Sequence, residues 1–192
     1  INTIQFVNNF VKMLIDINIL LASGAVYKKV AAKEIIFTEG DKGHYYYQLI
    51  TGLVRWVNID DEGKECIQYM VEPGECFGEL TLIDNEPYAA TTIADCESLI
   101  IKLNKDHFLQ LLKNNPEIHF SFTKMLVKRV RYKFILTKIL TCLHPEDKLI
   151  VLFNYLSIEK KHICTKCAQL KLTRQQIANM TGLRVETVIR SS

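Results

Sequence analysis

The sequence predicts an α+β chain with an all-β front half, one long helix and a closing helix-turn-helix. Three observations carry this. Short apolar runs between Val26 and Leu103 are broken by Gly, Asp and Pro at intervals of about 8–12 residues. No Gly or Pro then interrupts the chain between Pro116 and Pro145. Near the end, Gly182 separates two runs with helical apolar spacing.

In the front half, Glu34–Phe37 runs to the turn Glu39-Gly40-Asp41, and Tyr45–Ile50 runs to Gly52. Leu53–Ile59 and Glu65–Val71 flank Asp61-Glu62-Gly63-Lys64, which reads as a tight hairpin turn. Ala90–Ala94 and Ser98–Leu103 complete the set. This spacing fits a sandwich or barrel.

After Leu103 the period changes. Asn104 is placed to cap a helix over Lys105–Lys113, because its side chain can accept from an otherwise unpaired backbone N–H. Asn115-Pro116 opens the long helix. Within it Ile118, Phe122, Met125, Arg129, Tyr132, Leu136, Ile139 and Leu143 alternate four and three apart, a heptad seam interrupted by Arg129. Leu126, Val130, Thr137 and Leu140 form a second stripe. Two stripes need two covering surfaces: the β half and a partner subunit. The expected dimer contacts are Phe122, Met125, Arg129, Tyr132, Leu136 and Ile139. A helix over Glu146–Leu156 and a polar loop or short hairpin over Ser157–Lys171 follow. The expected division is 1–115 with an N-terminal helix, 116–143 as dimerisation helix, and 144–192 as the helix-turn-helix domain.

Net charge is +3, but the halves differ. Residues 1–101 carry 7 Lys+Arg against 15 Asp+Glu, and residues 102–192 carry 17 against 6. Phosphates would be repelled by the first half and attracted by the second. Phe6–Leu21 is apolar in patches, but Lys12 and Asp16 break it, so neither a membrane span nor a signal peptide is expected. The expected location is the cytoplasm. The start at Ile1 rather than Met suggests that residues precede it. Six cysteines at irregular spacing read as free thiols in a reducing compartment. Cys164-Thr165-Lys166-Cys167 has a metal-like spacing, but a closed zinc site needs four ligands, and no metal is expected. No nucleophile–base pair or phosphate-transfer loop is visible, so no enzyme is expected.

In the last segment Thr173 can cap a helix whose inner positions are Ile177, Ala178 and Met180. Gly182 can take the positive φ of a sharp turn. Val185 and Val188 then sit at helical spacing, leaving Arg184, Glu186, Thr187 and Arg190 to face outward. A second helix so presented can enter the major groove.

Thr173-Arg174-Gln175-Gln176-Ile177-Ala178, with Gly182 through Arg190, resembles the DNA-reading element of the CRP/FNR superfamily. Pro73-Gly74-Glu75-Cys76-Phe77-Gly78-Glu79-Leu80 resembles that family's phosphate-binding cassette. The two occur in the family's order across the long helix. The resemblance implies a double-stranded β-helix (β-roll) of the cyclic-nucleotide-binding type, a dimerisation helix and a winged helix-turn-helix, the last incomplete at Ser192. It implies a homodimeric transcription regulator with double-stranded DNA and RNA polymerase as partners. Glu186 and Arg190 match base-reading positions; Arg can bond a guanine edge bidentately and Glu can accept from cytosine N4. Thr173, Arg174 and Gln175 match phosphate contacts. The effector pocket would comprise Phe77, Gly78, Glu79, Leu80, Tyr88 and Ala89.

One departure bears on the effector. Where cyclic AMP binders of the family carry an Arg-Ser pair, this sequence has Tyr88-Ala89, and where they place Thr-Ser it has Lys133-Phe134. Losing a charge-assisted contact to the phosphate costs roughly 1.5–3 kcal/mol. Tight cyclic AMP binding is therefore not expected. Any effector would be an unidentified small molecule, and the alternative is a cyclic nucleotide held by another anion partner.

Overall fold

The computed structural model describes residues 12–164, 167 and 169–191. The first part of the expected N-terminal helix lies outside them. Helix α1, Ile17–Ala22, is capped by Asp16, whose carboxylate accepts from Asn18 N at 2.8 Å. Gln48, fully buried, fastens the segment before it: its side chain bonds both Ile15 N and Ile15 O at 3.0 and 2.9 Å.

Eight strands follow in two antiparallel sheets. They are β1 (Val26–Val30), β2 (Ile35–Phe37), β3 (Tyr45–Thr51), β4 (Val54–Ile59), β5 (Glu65–Val71), β6 (Cys76–Phe77), β7 (Thr91–Ala94) and β8 (Ser98–Asn104). One sheet is ordered β1-β8-β3-β6, the other β2-β7-β4-β5. Aromatic side chains link them: Phe37 of β2 lies 5.7 Å from Tyr47 of β3 and 6.2 Å from Phe77 of β6, measured between ring centroids. The hairpin turn between β4 and β5 is held by Asp60, whose carboxylate accepts from Glu62 N and Lys64 N.

A short helix α2, Leu80–Asp84, interrupts the strands. Helix α3, Lys105–Asn114, is capped by Asn104 as expected. The long helix α4 spans Pro116–Thr141, and α5 spans Pro145–Glu159. Ile163 and Leu170 form an isolated bridge within the expected loop. The helices α6 (Arg174–Thr181) and α7 (Val185–Ser191) close the described chain. No described helix is long and apolar enough to cross a membrane.

The chain divides into two compact units. The first runs through Asn58 and resumes over Tyr69–Lys124; the second joins Ile59–Gln68 to the chain from Met125 onward. The division passes through α4, so 116–143 is not a separate piece, and the β4–β5 hairpin tip groups with the C-terminal half.

The seam expected to meet a partner requires correction. Phe122, Arg129, Tyr132, Leu136 and Ile139 are buried within the single chain, and Met125 is half-buried. In the first unit Phe122 packs edge-on to Phe108 of α3 at 5.4 Å; in the second, Tyr132 packs against Tyr155 of α5 at 5.0 Å. The exposed stripe of α4 is Phe120, Thr123, Val127, Val130, Phe134, Thr137 and Thr141. These alternate three and four apart without interruption, a full heptad face. Periodicity shows that a helix has two apolar stripes but not which one its own chain covers.

Candidate functional site

Two regions bear functional side chains. The first lies in the β unit. Gly78 adopts φ +71°, and a Cβ there would lie 3.0 Å from the Tyr47 ring and 3.1 Å from the Phe37 ring. The turn into α2 therefore needs glycine for both conformation and space. Glu79 follows, fully buried; it stands at the N-cap of α2 without capping it through its side chain, and the Cys76 thiol lies 4.0 Å from its carboxylate.

Beside Gly78 is a cleft of about 310 Å³ that opens to solvent. Phe37, Trp56, Leu80, Tyr88, Ala89 and Thr92 are among its walls, and none of the residues lining it is Lys, Arg, His, Asp or Glu. Tyr88 stacks on Phe37 at 3.7 Å with an interplanar angle of 11°. Burial, first, and then the Tyr47, Asp41 and Glu79 groups push its phenol well above the ordinary range, so it stays neutral. Burial likewise raises Tyr47, offset in part by the hydrogen bond the two phenols share. An anion entering here would meet neutral rings where a cation would be needed.

Of the six residues expected at this pocket, Gly78, Leu80, Tyr88 and Ala89 line it. Phe77 and Glu79 do not; both are buried, Phe77 stacked on Tyr47 at 5.1 Å. Phe37, Trp56 and Thr92 escaped the sequence reading because they come from β2, β4 and β7. They converge only through pairing: Thr92 stands opposite Phe37 across one ladder and opposite Trp56 across the other.

The second region is the helical pair α6–α7. Thr173 and Gln176 form a reciprocal capping box, with Gln176 N to Thr173 Oγ1 at 3.1 Å and Thr173 N to Gln176 Oε1 at 2.7 Å. Gly182 ends α6 at φ +70°. Ile177, Ala178, Met180 and Val188 are buried between the helices and their support. Arg174 and Gln175 are exposed on α6, and Gln175 is tied to Asn179 at 2.8 Å. Glu186 and Arg190 are exposed on α7, Arg184 is exposed just before it, and Thr187 is half-buried. Ser191 donates to Glu146 of α5 at 3.1 Å, fixing the end of α7.

The family model of the cyclic nucleotide-binding domain matches residues 27–115. A cAMP-activated global transcriptional regulator, CRP, of Haemophilus influenzae is 30% identical over 166 residues, covering 84% of this chain and 73% of the relative. The chain belongs to the CRP/FNR family. The CRP of Pasteurella multocida is 28% identical over 84% of this chain and 78% of its own. Among solved structures, FixK2 from Bradyrhizobium japonicum covers 87% of this chain and 82% of its own at a TM-score of 0.74 and 18% identity. The c-di-GMP-responsive regulator CLP of Xanthomonas campestris covers 91% of this chain and 87% of its own at 0.75 and 21%. These two similarities establish the fold.

Within the CRP/FNR family this chain is a transcription regulator with a cyclic-nucleotide-binding-type β-roll. DNA binding through a helix-turn-helix is typical of the family. Where the resemblance calls for a Thr-Ser pair on the long helix, Lys133 donates to Gln68 Oε1 at 2.8 Å and Phe134 stands exposed on the heptad face. Neither offers a hydroxyl. Among the described residues no group of three or more His, Cys, Asp or Glu is arranged to hold a metal. Cys164 is half-buried, Cys167 is exposed, and the two residues between them lie outside the described residues.

Proposed function

We propose that this chain is a cytoplasmic, sequence-specific DNA-binding regulator that works as a homodimer with RNA polymerase and does not bind cyclic AMP tightly. The observation that carries it is the exposed set Glu186 and Arg190 on a helix entered through the Gly182 turn, with Arg184 exposed just before it, in the basic half of the chain. Arg190 and Glu186 read base edges; Thr187 and Arg184 flank them. Arg174 and Gln175 hold phosphates, and Thr173 sets the start of α6 through its capping box. Two such helices in one dimer would enter successive major grooves about 34 Å apart on a palindrome.

The dimer forms through Phe120, Val127, Val130 and Phe134, with Thr123, Thr137 and Thr141 between them. Each threonine hydroxyl already donates to a carbonyl of its own helix at 3.0 Å. Their methyl groups can thus be buried at an interface without leaving a polar group unsatisfied.

The test is fluorescence anisotropy on a selected palindrome and on scrambled DNA at several salt concentrations. Arg190→Ala should cost roughly 1–3 kcal/mol at the preferred site and relax discrimination at one base pair per half-site. Arg174→Ala should weaken binding to both DNAs alike and reduce the salt slope by about one unit. Equal losses on both DNAs for Arg190→Ala would make it a phosphate contact only. In calorimetry, cyclic AMP should bind at best weakly; a micromolar dissociation constant would overturn that part of the reading and favour a cyclic nucleotide held through another anion partner.

A further inference from the structure

We propose that the cleft beside Gly78 is a receptor for a small, flat, uncharged aromatic molecule bearing one hydrogen-bonding group. The proposal rests on the reading of the β-roll as an effector domain without tight cyclic AMP binding, and it names the class of ligand that domain would take.

The walls supply the flat shape. Thr92 stands directly opposite Phe37 on one neighbouring strand and opposite Trp56 on the other. All three line the same cleft, so the Thr92 side chain stands among aromatic ones. Tyr88, stacked on Phe37, extends the aromatic wall, and Ala89 and Ala90 leave room beside it. Offset stacking and edge contacts favour a planar guest in such a slot.

The floor supplies the single polar contact. Thr92 is fully buried, and among the described residues nothing bonds its Oγ1. A buried hydroxyl without a partner is destabilising, and most such groups in folded proteins are satisfied. Thr92 is among the residues lining the cleft, and a small shift of the walls would bring its hydroxyl within reach of a ligand atom. As the hydroxyl both donates and accepts, it can pair with a carbonyl, hydroxyl or ring N–H.

Charge and size narrow the class further. No acidic or basic side chain lines the cleft, so an ionised ligand would be desolvated without compensation. The volume of about 310 Å³ counts the open mouth as well, so the enclosed part admits only a small guest. The fit is to a one- or two-ring compound.

Trp56 is the chain's one tryptophan and forms part of the wall, so its fluorescence reports occupancy directly. The probes are benzamide, its isosteric anion benzoate, toluene and cyclic AMP, titrated into the full chain. Benzamide should change the Trp56 emission saturably in the millimolar range or below, and benzoate should bind at least tenfold more weakly. Thr92→Val removes the hydroxyl and keeps the shape. It should weaken benzamide by about three- to tenfold, leave toluene unaffected and raise the melting temperature of the empty protein. Absence of a saturable benzamide response, or equal binding of benzamide and benzoate, would overturn the proposal. So would a Thr92→Val variant that binds both neutral probes as the parent does. A micromolar response to cyclic AMP would instead overturn the reading of the domain on which the proposal rests, and the two failures are separately visible.

Discussion

At Tyr88 a neutral ring stands where the family's cyclic AMP binders carry a cation, and its surroundings hold it neutral. Phe37 stacks on one side, Tyr47 shares its hydrogen bond, and the carboxylates of Asp41 and Glu79 oppose any phenolate. The substitution was legible in the sequence. What the ring packs against was not, because Phe37 is 51 positions away in the chain. The raised phenol makes a prediction with a definite sign. A group whose folded value lies above its unfolded one contributes stability that is fully present below the unfolded value, near pH 10, and lost as pH rises above it. Above pH 10 the unfolded chain gives up the Tyr88 proton while the folded chain keeps it. Urea midpoints measured from pH 8 to 11.5 should therefore fall at the alkaline end, and Tyr88→Phe should fall less steeply, by at most about 1.4 kcal/mol per pH unit. Parallel curves for the two proteins would show that Tyr88 ionises as freely folded as unfolded.

Among the elements, helices were the more legible. The Asn104 and Thr173 caps, the Gly182 turn and the length of α4 follow from local chemistry, and the structure bears them out. Strands β1 and β6 and helix α2 were not foreseen. The five residues Val26-Tyr27-Lys28-Lys29-Val30 do not alternate cleanly, and β6 has only two residues, so pairing with β8 and β3 defines these strands rather than their own pattern. The two faces of α4 were visible as stripes, but which one the chain itself covers was not, for a tertiary reason: α3 and α5 cover Phe122 and Tyr132. The assignment is testable. Val130→Asp lies on the exposed stripe and should give a folded monomer, because a carboxylate at an interface position would be buried without a partner. Leu136→Asp lies on the inward stripe and should lower the melting temperature strongly, at a cost of several kcal/mol. Circular dichroism with light scattering separates the outcomes. If Val130→Asp unfolds and Leu136→Asp gives a folded monomer, the first assignment of the seam was right.

For the whole molecule, the distribution of charge predicts that self-association and DNA binding respond to salt in opposite directions. Flanking the exposed heptad stripe of α4, two turns apart in each step, stand Lys124, Arg131 and Lys138, all exposed. Position 133, on the other flank, is also a lysine. The helix holds a single acidic residue, Glu117, near its start. In a parallel pair Lys133 would face Lys138 of the second helix; in an antiparallel pair the flanking bases would face one another. Neither orientation offers the opposite charges that usually stabilise such rims. Each like-charge pair opposes association by about 0.2–0.5 kcal/mol at low salt, and screening removes that opposition. DNA binding responds in the other direction, because salt competes with the phosphates for the basic half. The two equilibria should therefore have opposite salt slopes. Raising ionic strength from about 0.05 to 0.5 M should tighten the dimer severalfold in sedimentation equilibrium, while anisotropy shows DNA affinity falling by orders of magnitude. Lys138→Glu supplies an acidic partner for Lys133 of a parallel second helix, and it should strengthen the dimer at low salt and flatten its salt dependence. A dimer that dissociates as salt rises would mean that the helices associate through charge attraction, and the apolar stripe from Phe120 to Thr141 would not be the surface that joins them.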